Sequence, residues 1–526
     1  MEHGRRLLLL TGARVAGLAA LGPVLPCAAA PRNTPYPFTL GVASGAPLPD
    51  SVVLWTRILF DPLDARTTPP VAFTVRWEVA EDEAFRTIAA RGTATAMPAL
   101  AHSVHVDVKG LRPDRWYWYR FMLGNAVSPV ARTRTAPAPG TLPRALKLAV
   151  ASCQHWEFGH YAAQRHLAQA APDLVAFLGD YIYEWGRYSL DHPQRAVRRD
   201  ESFTLDQYRA RYAQYKSDRD LQAAHHAAPW IMTWDDHEVA NDYSGMRDEL
   251  LTPDFAARRA AAYQAYCEHQ PLRFTAGGGR SRFEDVRMYG RYDWGALARF
   301  HVLDNRQYRS PQACARPDRG GSNSVYRNAC AMLADGRRTM LGSTQETWLR
   351  EGLKSSKARW NVLAQQTLMA QSSQVAIRRA SDGRFWTDGW DGYPAARQRL
   401  LDAVRTSGAA NPLVLSGDVH TFYAAELRRD PTRPRAAGNP VVATEFCGTS
   451  ITSSSRPQER TAQYVEMNPH IRYGRSDRRG YMLMEITPER TSVLFQGLDD
   501  VRDKASGIRT LARFAVEDGK AGVIAA

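Results

Sequence analysis

Hydrophobic and polar positions change their rhythm once along this chain. From "FTLGVASG" through "DSVVLWTRI" (50–58), "VAFTVRWEVA", "SVHVDVKG" and "RWYWYRFML", apolar residues alternate with polar ones and β-branched residues recur. This is the period-two pattern of half-buried strands. Several short strands with turns and no helical period between them predict a small β-sandwich. It ends at the linker "TAPAPGTLPR" (135–144), which puts a boundary near residue 140. Beyond it, short apolar runs alternate with amphipathic helical stretches such as "FGHYAAQRHLAQA" (158–170) and "AARRAAAYQAYCEHQ" (256–270), which predicts an α/β domain. A polar, Gly-containing region over 306–343 reads as a surface insertion.

Five apolar runs of the second domain stop abruptly in polar residues. "LKLAV" ends at Ala151-Ser152-Cys153-Gln154, "LVAFL" at "GDYIYE", and "WIMTW" at "DDHEVAND". "WNVLA" ends at Gln365-Gln366, and "PLVLS" at Gly417-Asp418-Val419-His420. Sites of α/β sheets form beyond the carboxyl ends of strands, so five such ends are expected to converge. An Asp at one strand end is commonly a helix cap and a lone His commonly structural; five together point to a site.

Length and composition refine this picture. At 526 residues the chain exceeds the ~250–300 residues of a single core, so two domains are expected. With 44% hydrophobic and 23% charged residues it is globular and not disordered. The net charge of +14 comes from Arg spread along the chain, with short clusters at "RAVRRD" (195–200) and "RRDPTRPR" (428–435). A nucleic-acid platform concentrates its charge, so no specific nucleic-acid partner is expected; the surplus is either a solvated basic surface or a field that draws anionic substrates.

Residues 1–30 read as an export signal: Arg5-Arg6, a modest apolar stretch interrupted by Arg14, and the small residues of "CAAA". The Arg pair suggests the twin-arginine export machinery as a partner and a periplasmic or secreted location. "VLPC" resembles a lipoprotein box, but Pro26 is a poor residue directly before a lipid-modified Cys27, and "CAA" fits ordinary peptidase cleavage better. No later stretch offers ~18 uninterrupted apolar residues, so no transmembrane segment is expected in the mature chain. Cys27 leaves with the signal, and Cys153, Cys267, Cys314, Cys330 and Cys447 remain. In an oxidising compartment Cys314 and Cys330, flanking a polar loop, are the expected disulfide, with Cys153 kept unpaired.

The strand ends carry Cys153, Asp180, Tyr183, Asp236, His237, Asp418 and His420, oxygen, nitrogen and thiolate ligands enough for two metals. Asp180 is the natural bridging carboxylate, since a two-metal hydrolytic site needs cations ~3.5–4 Å apart. Phenolate and thiolate beside imidazole suit a ferric ion; Asp carboxylates with an amide oxygen suit a divalent cation such as Ca²⁺ or Mn²⁺. Such a pair holds phosphate and generates a hydroxide nucleophile, and His237 is placed to protonate the leaving oxygen. Arg306 in "LDNRQYR" is a candidate phosphate-binding residue, with a structural ion pair as its alternative. "GTSITS" lacks the Gly-x-Ser-x-Gly elbow of a serine hydrolase, so its hydroxyls read as structural.

In order, "FTLGVASGAPLPDSVVLWTRI", "ASCQ", "FLGDYIYE", "TWDDHEVAND", "WNVLAQQ", "LSGDVH" and "EFCGTSITS" resemble the PhoD-like alkaline phosphatase/phosphodiesterases, relatives of the purple acid phosphatases. The resemblance implies an N-terminal fibronectin/Ig-like β-sandwich over 36–137. It further implies an α/β metallophosphoesterase domain over 145–515, with a two-sheet β-sandwich core flanked by helices. It also implies Fe³⁺ held by Cys153, Tyr183 and His420, Asp180 bridging, and Ca²⁺ held by Asp236 and Asp418. Asn241 and Asp242 are further calcium candidates, Asp235 is either a ligand or a support for one, and Glu184 has no assigned role. Cys447 departs from the aliphatic residue expected there and reads as a buried thiol. The implied activity is an exported phosphoesterase that uses a metal-activated hydroxide on small phosphate esters or lipid headgroups. The alternatives are a phosphodiesterase with phospholipase D-like action and a catalytically inert surface binding module.

Overall fold

The structure is a computed structural model that describes residues 35–186, 195, 200–273 and 283–526. The expected export signal, Cys27, and residues 196–199 of the first basic cluster lie outside these.

Two sheets face one another at the centre. In the first, Leu146–Ala151, Leu174–Leu178 and Trp230–Thr233 run parallel. In the second, Ala298–Val302, Trp360–Thr367, Pro412–Gly417 and Val441–Cys447 do the same. These strands are buried on both faces, which is why they read as continuous apolar runs. Alternate residues serve opposite layers. Leu148 and Val150 meet Val362, Leu415 and Phe446 between the sheets. Ala149, Val175 and Phe177 point outward beneath Tyr161, Leu221 and Tyr263 of the flanking helices. On the far side, Leu363 and Val414 pack under Leu349 and Leu353 of the helix Gly342–Lys354 and under Leu400 and Val404 of Pro394–Ser407. Among the described residues, no helix is long and apolar enough to cross a membrane.

The N-terminal strands form two layers of their own. The sheet containing Phe73–Ala80, Ile88–Ala96 and Trp116–Leu123 packs against Val42–Leu48, Ser51–Arg57 and Ser103–Lys109, around Val52, Leu54, Val75, Tyr117 and Phe121. The second of these layers does not stop at the linker. Val42–Leu48 pairs in parallel with Trp230–Thr233, Gly45 opposite Trp230, and so continues the first central sheet to ten strands among the described residues. Gly45 is needed for this approach, because a Cβ there would lie 2.5 Å from the Pro271 carbonyl oxygen and 2.8 Å from that of Trp230. The join is secured by Trp55, whose indole N–H donates to the Glu268 carbonyl at 2.9 Å.

Cys314 and Cys330 are disulfide-bonded, and Cys153, Cys267 and Cys447 are free and buried. The segment expected as a surface insertion is partly internal. Arg306, Arg309 and Gln312 are buried, because each meets a buried partner carboxylate at Asp388.

Candidate metal centre

Four of the five strand ends deliver ligand-type side chains to one place, and they do so through strained backbone. Cys153, Asp180, Asp418 and His420 have φ of 60°, 55°, 63° and 53°, as does Asp242 at 55°. Non-glycine residues seldom adopt this left-handed region, which costs about 1–3 kcal/mol each and persists only where surroundings enforce it. Close packing of the loops is that enforcement. At Gly179, φ 101°, a Cβ would meet the Asp235 Cβ at 2.5 Å; at Gly417 it would meet the Ser152 Oγ at 2.3 Å. The fifth end is a brace and not a ligand donor. The Gln366 side-chain amide donates to Thr233 Oγ1, the Trp234 carbonyl and the Leu303 carbonyl, tying the two sheets together.

The ligand atoms of Cys153, Asp180 and His420 lie within 4.8 Å of one another, as do those of Asp180, Asp236 and His237 and those of Asp235, Asp236 and Asp418. Asp180 belongs to two of these groups. The Tyr183 hydroxyl donates to Asp180 Oδ2 at 2.8 Å and lies 3.3 Å from His420 Nε2. His420 Nδ1 faces the Ser454 carbonyl at 2.6 Å, which makes Nδ1 the protonated nitrogen and leaves Nε2 free as a ligand atom. Ser453 Oγ lies 2.6 Å from the Tyr183 hydroxyl, so a hydroxyl of "GTSITS" supports the phenol.

These residues fit cations. Asp180 Oδ1 and Asp418 Oδ2 are buried without a hydrogen-bond partner, and buried oxygens left this way are costly. Burial, with neighbouring carboxylates, raises Asp180 well above the ordinary carboxylate range and lifts Asp418 to about 7. Burial and the Asp180 charge likewise push the Cys153 thiol and the Tyr183 phenol far up. Added positive charge reverses this, holding carboxylate, thiolate and phenolate in the anionic forms that ligate. Asp236 differs: burial acts to raise it, but Arg306 and His237 outweigh burial and hold it at about 2.

Glu184 finds its role here. Its carboxylate is buried, accepting from His237 Nδ1 at 2.7 Å with one oxygen and from the Asn241 backbone N–H at 2.6 Å with the other. Burial acts to lower His237, yet Glu184, Asp236 and Asp180 together raise it well above the usual imidazole range. Glu238 accepts from the backbone N–H groups of Asp180 at 3.1 Å and Asp235 at 2.8 Å, stitching two strand ends together.

Arg306 does not contact the cavity. It is buried among Asp235, Asp236 at 3.3 Å and Asp388 at 2.8 Å, which corrects the substrate-binding role read from the sequence in favour of its ion-pair alternative. Three carboxylates surround one guanidinium there, and a buried charge so paired has no reason to turn outward. Asp235 is correspondingly drawn toward Arg306. Asp242 Oδ2 accepts from the Ser322 N–H at 2.8 Å, which orients the carboxylate at the cavity edge.

The centre opens into a cavity of about 450 Å³. Asp180, Asp236, His237, Asn241, Asp242, Asp418 and His420 line it, facing a wall of Trp386, Trp390, Tyr423 and Tyr464. Arg456 is the only Lys or Arg among its described lining residues, and its guanidinium stacks 5.0 Å from the Tyr464 ring centroid. No motif marks Arg456 beyond its place after a Ser-rich run.

Comparison with known proteins places this arrangement. The family description "PhoD-like phosphatase" matches residues 148–495, and "PhoD-like phosphatase, N-terminal domain" matches residues 26–137. Alkaline phosphatase D of Bacillus subtilis is 42% identical over 503 residues, 94% of this chain and 83% of its own length. A solved structure of PhoD superposes with a TM-score of 0.85 at 41% identity, covering 94% of both chains. A purple acid phosphatase from yellow lupin seeds shares the fold at a TM-score of 0.55 and 12% identity, over 92% of this chain and 74% of its own. Fold and relatives together define a phosphoester hydrolase. The chain belongs to the PhoD-like phosphatase family.

Proposed function

We propose that this chain is an exported, metal-dependent phosphoesterase of alkaline phosphatase type that hydrolyses phosphate esters without a covalent enzyme intermediate. The observation that carries the reading is the convergence of Asp180, His420, Asp236 and Asp418 on one cavity, with Cys153 beside Asp180 and His420 behind it and Asp180 shared between ligand groups. Cys153, Tyr183 and His420 suit Fe³⁺, Asp236, Asp418 and Asn241 suit Ca²⁺, and Asp180 lies between the two sets. Cations held there would supply Lewis-acid charge at a phosphate and lower the pKa of water.

The chain's own residues do the rest. His237 lines the cavity with Nδ1 held by Glu184, so Nε2 is the nitrogen available to protonate the leaving oxygen. Arg456 contributes a positive charge at the cavity wall for a phosphate oxygen. Export is supported by Arg5-Arg6 ahead of an apolar stretch and by the Cys314–Cys330 disulfide, a bond that persists in oxidising compartments. A second reading, phosphodiester hydrolysis including lipid headgroups, is favoured by the aromatic wall of Trp386, Trp390, Tyr423 and Tyr464, which offers a surface to a second substituent.

The test is elemental analysis of the folded chain recovered from outside the cytoplasmic membrane, with mono- and diester hydrolysis assayed beside it. The expected result is iron and calcium in the protein, loss of hydrolysis on their removal, and loss in Asp180→Ala. Full hydrolysis by Asp180→Ala overturns the two-metal reading, and protein confined to the cytoplasm overturns export.

A further inference from the structure

The second basic cluster of the sequence, "RRDPTRPR" (428–435), is not part of the catalytic cavity. It forms one side of a separate concavity of about 740 Å³. Five arginines line this concavity, Arg327, Arg378, Arg379, Arg429 and Arg433, against one acid, Asp430. Arg429 is paired with Asp402 at 2.8 Å and Arg433 with Asp430 at 3.3 Å. Arg327 is held by the Ala380 carbonyl at 2.9 Å and stacks over Phe385. Among the described residues, no carboxylate lies within ion-pair distance of the guanidinium of Arg378 or Arg379, and Asp382 acts on both only at longer range. Their backbone N–H groups both donate to Asp382 Oδ2, at 3.0 and 2.8 Å, which fixes the loop that presents them.

The concavity shares a wall with the catalytic cavity. Gln371 lines the basic side, whereas Ala370, Ser372 and Gln374 line the catalytic side. That wall is pinned: the Ala370 N–H donates to Glu445, the Ser372 N–H to Asp391 at 2.8 Å, and the Gln371 carbonyl faces His470 Nε2 at 2.8 Å. With Arg429 and Arg433 paired to Asp402 and Asp430, the surplus of Arg327, Arg378 and Arg379 over Asp382 suits a multiply charged oxyanion, because planar forks meet tetrahedral oxygens in pairs.

We propose that this concavity is a second oxyanion site, apart from the catalytic centre, that takes a phosphate dianion. The identity of the anion rests on the phosphoesterase reading, whose reaction handles and releases phosphate. The phosphate is either free orthophosphate or a second phosphate carried on the substrate.

Isothermal titration calorimetry with inorganic phosphate tests this on the full chain as purified with its metals, in wild type, Arg378→Ala/Arg379→Ala and Asp180→Asn. The expected result is a class of phosphate binding that survives in Asp180→Asn and weakens about tenfold in the double arginine variant. The double variant should keep its turnover of 4-nitrophenyl phosphate. An unchanged titration in the double variant, or loss of all binding in Asp180→Asn, overturns the proposal. The titration requires no turnover, so its failure is separable from failure of the hydrolase reading. Steady-state KM for an alkane bisphosphate against the matching monophosphate separates the two sources. A KM raised in the double variant for the bisphosphate alone assigns the site to a second substrate phosphate; both values unchanged, with the binding class weakened, assign it to free orthophosphate.

Discussion

Among individual residues, Glu184 shows most clearly how the site is held. One oxygen fixes the His237 ring and the other fixes the start of the Asn241-Asp242 segment, so a single carboxylate positions an imidazole and a cavity wall together. Glu184→Gln retains the size but offers only one acceptor to these two donors. It should lower kcat by about 10–100-fold, as loss of such supporting partners does. Steady-state kinetics with metal content measured in parallel checks this; a wild-type kcat at full metal occupancy contradicts the positioning role. Glu184 was visible in "GDYIYE" but had no readable function, because its partner His237 stands 53 residues away and periodicity carries no information about such a pair. Arg306 illustrates the reverse. An arginine next to catalytic-looking sequence reads as a phosphate ligand, and only the positions of Asp235, Asp236 and Asp388 show that its charge is already neutralised.

At the level of strands and their terminal loops, the site is a consequence of packing as much as of ligand choice. Gly179 lets the loop after Leu174–Leu178 lie against Asp235 in the loop after Trp230–Thr233. Gly179→Ala would add a clash with Asp235 Cβ and N at 2.5 and 2.7 Å to an unfavourable φ. A destabilisation of about 3 kcal/mol or more is expected, with the ligand groups driven apart. Chemical denaturation checks the stability and metal analysis checks the centre; a neutral result in both would show that the loop can relax. These ends were legible in the sequence since apolar runs halting in Asp, His, Cys and Tyr are uncommon and share one geometric outcome in an α/β sheet. The role of "WNVLAQQ" was not, because Gln366 looks like any polar terminus until its amide is seen bridging the sheets.

The whole molecule is less divisible than its sequence suggests. The rhythm of the sequence changes near residue 140, yet Val42–Leu48 pairs across that line with Trp230–Thr233. Nothing in "VASGAPL" specifies this partner; alternation predicts a strand and its faces but not the strand beside it. With one continuous sheet of described strands spanning both parts and Trp55 bonded to Glu268, thermal unfolding should proceed as one cooperative transition. Calorimetry decides, and two resolved transitions of comparable enthalpy would indicate independent halves. The shared sheet also bears on how such a chain can be recombined. The N-terminal half is no portable module: moved onto another enzyme it would carry a bare strand edge seeking a partner, and the half left behind would expose Trp230–Thr233 to self-association. Ancestry and engineering alike are therefore expected to treat the two halves as one heritable unit.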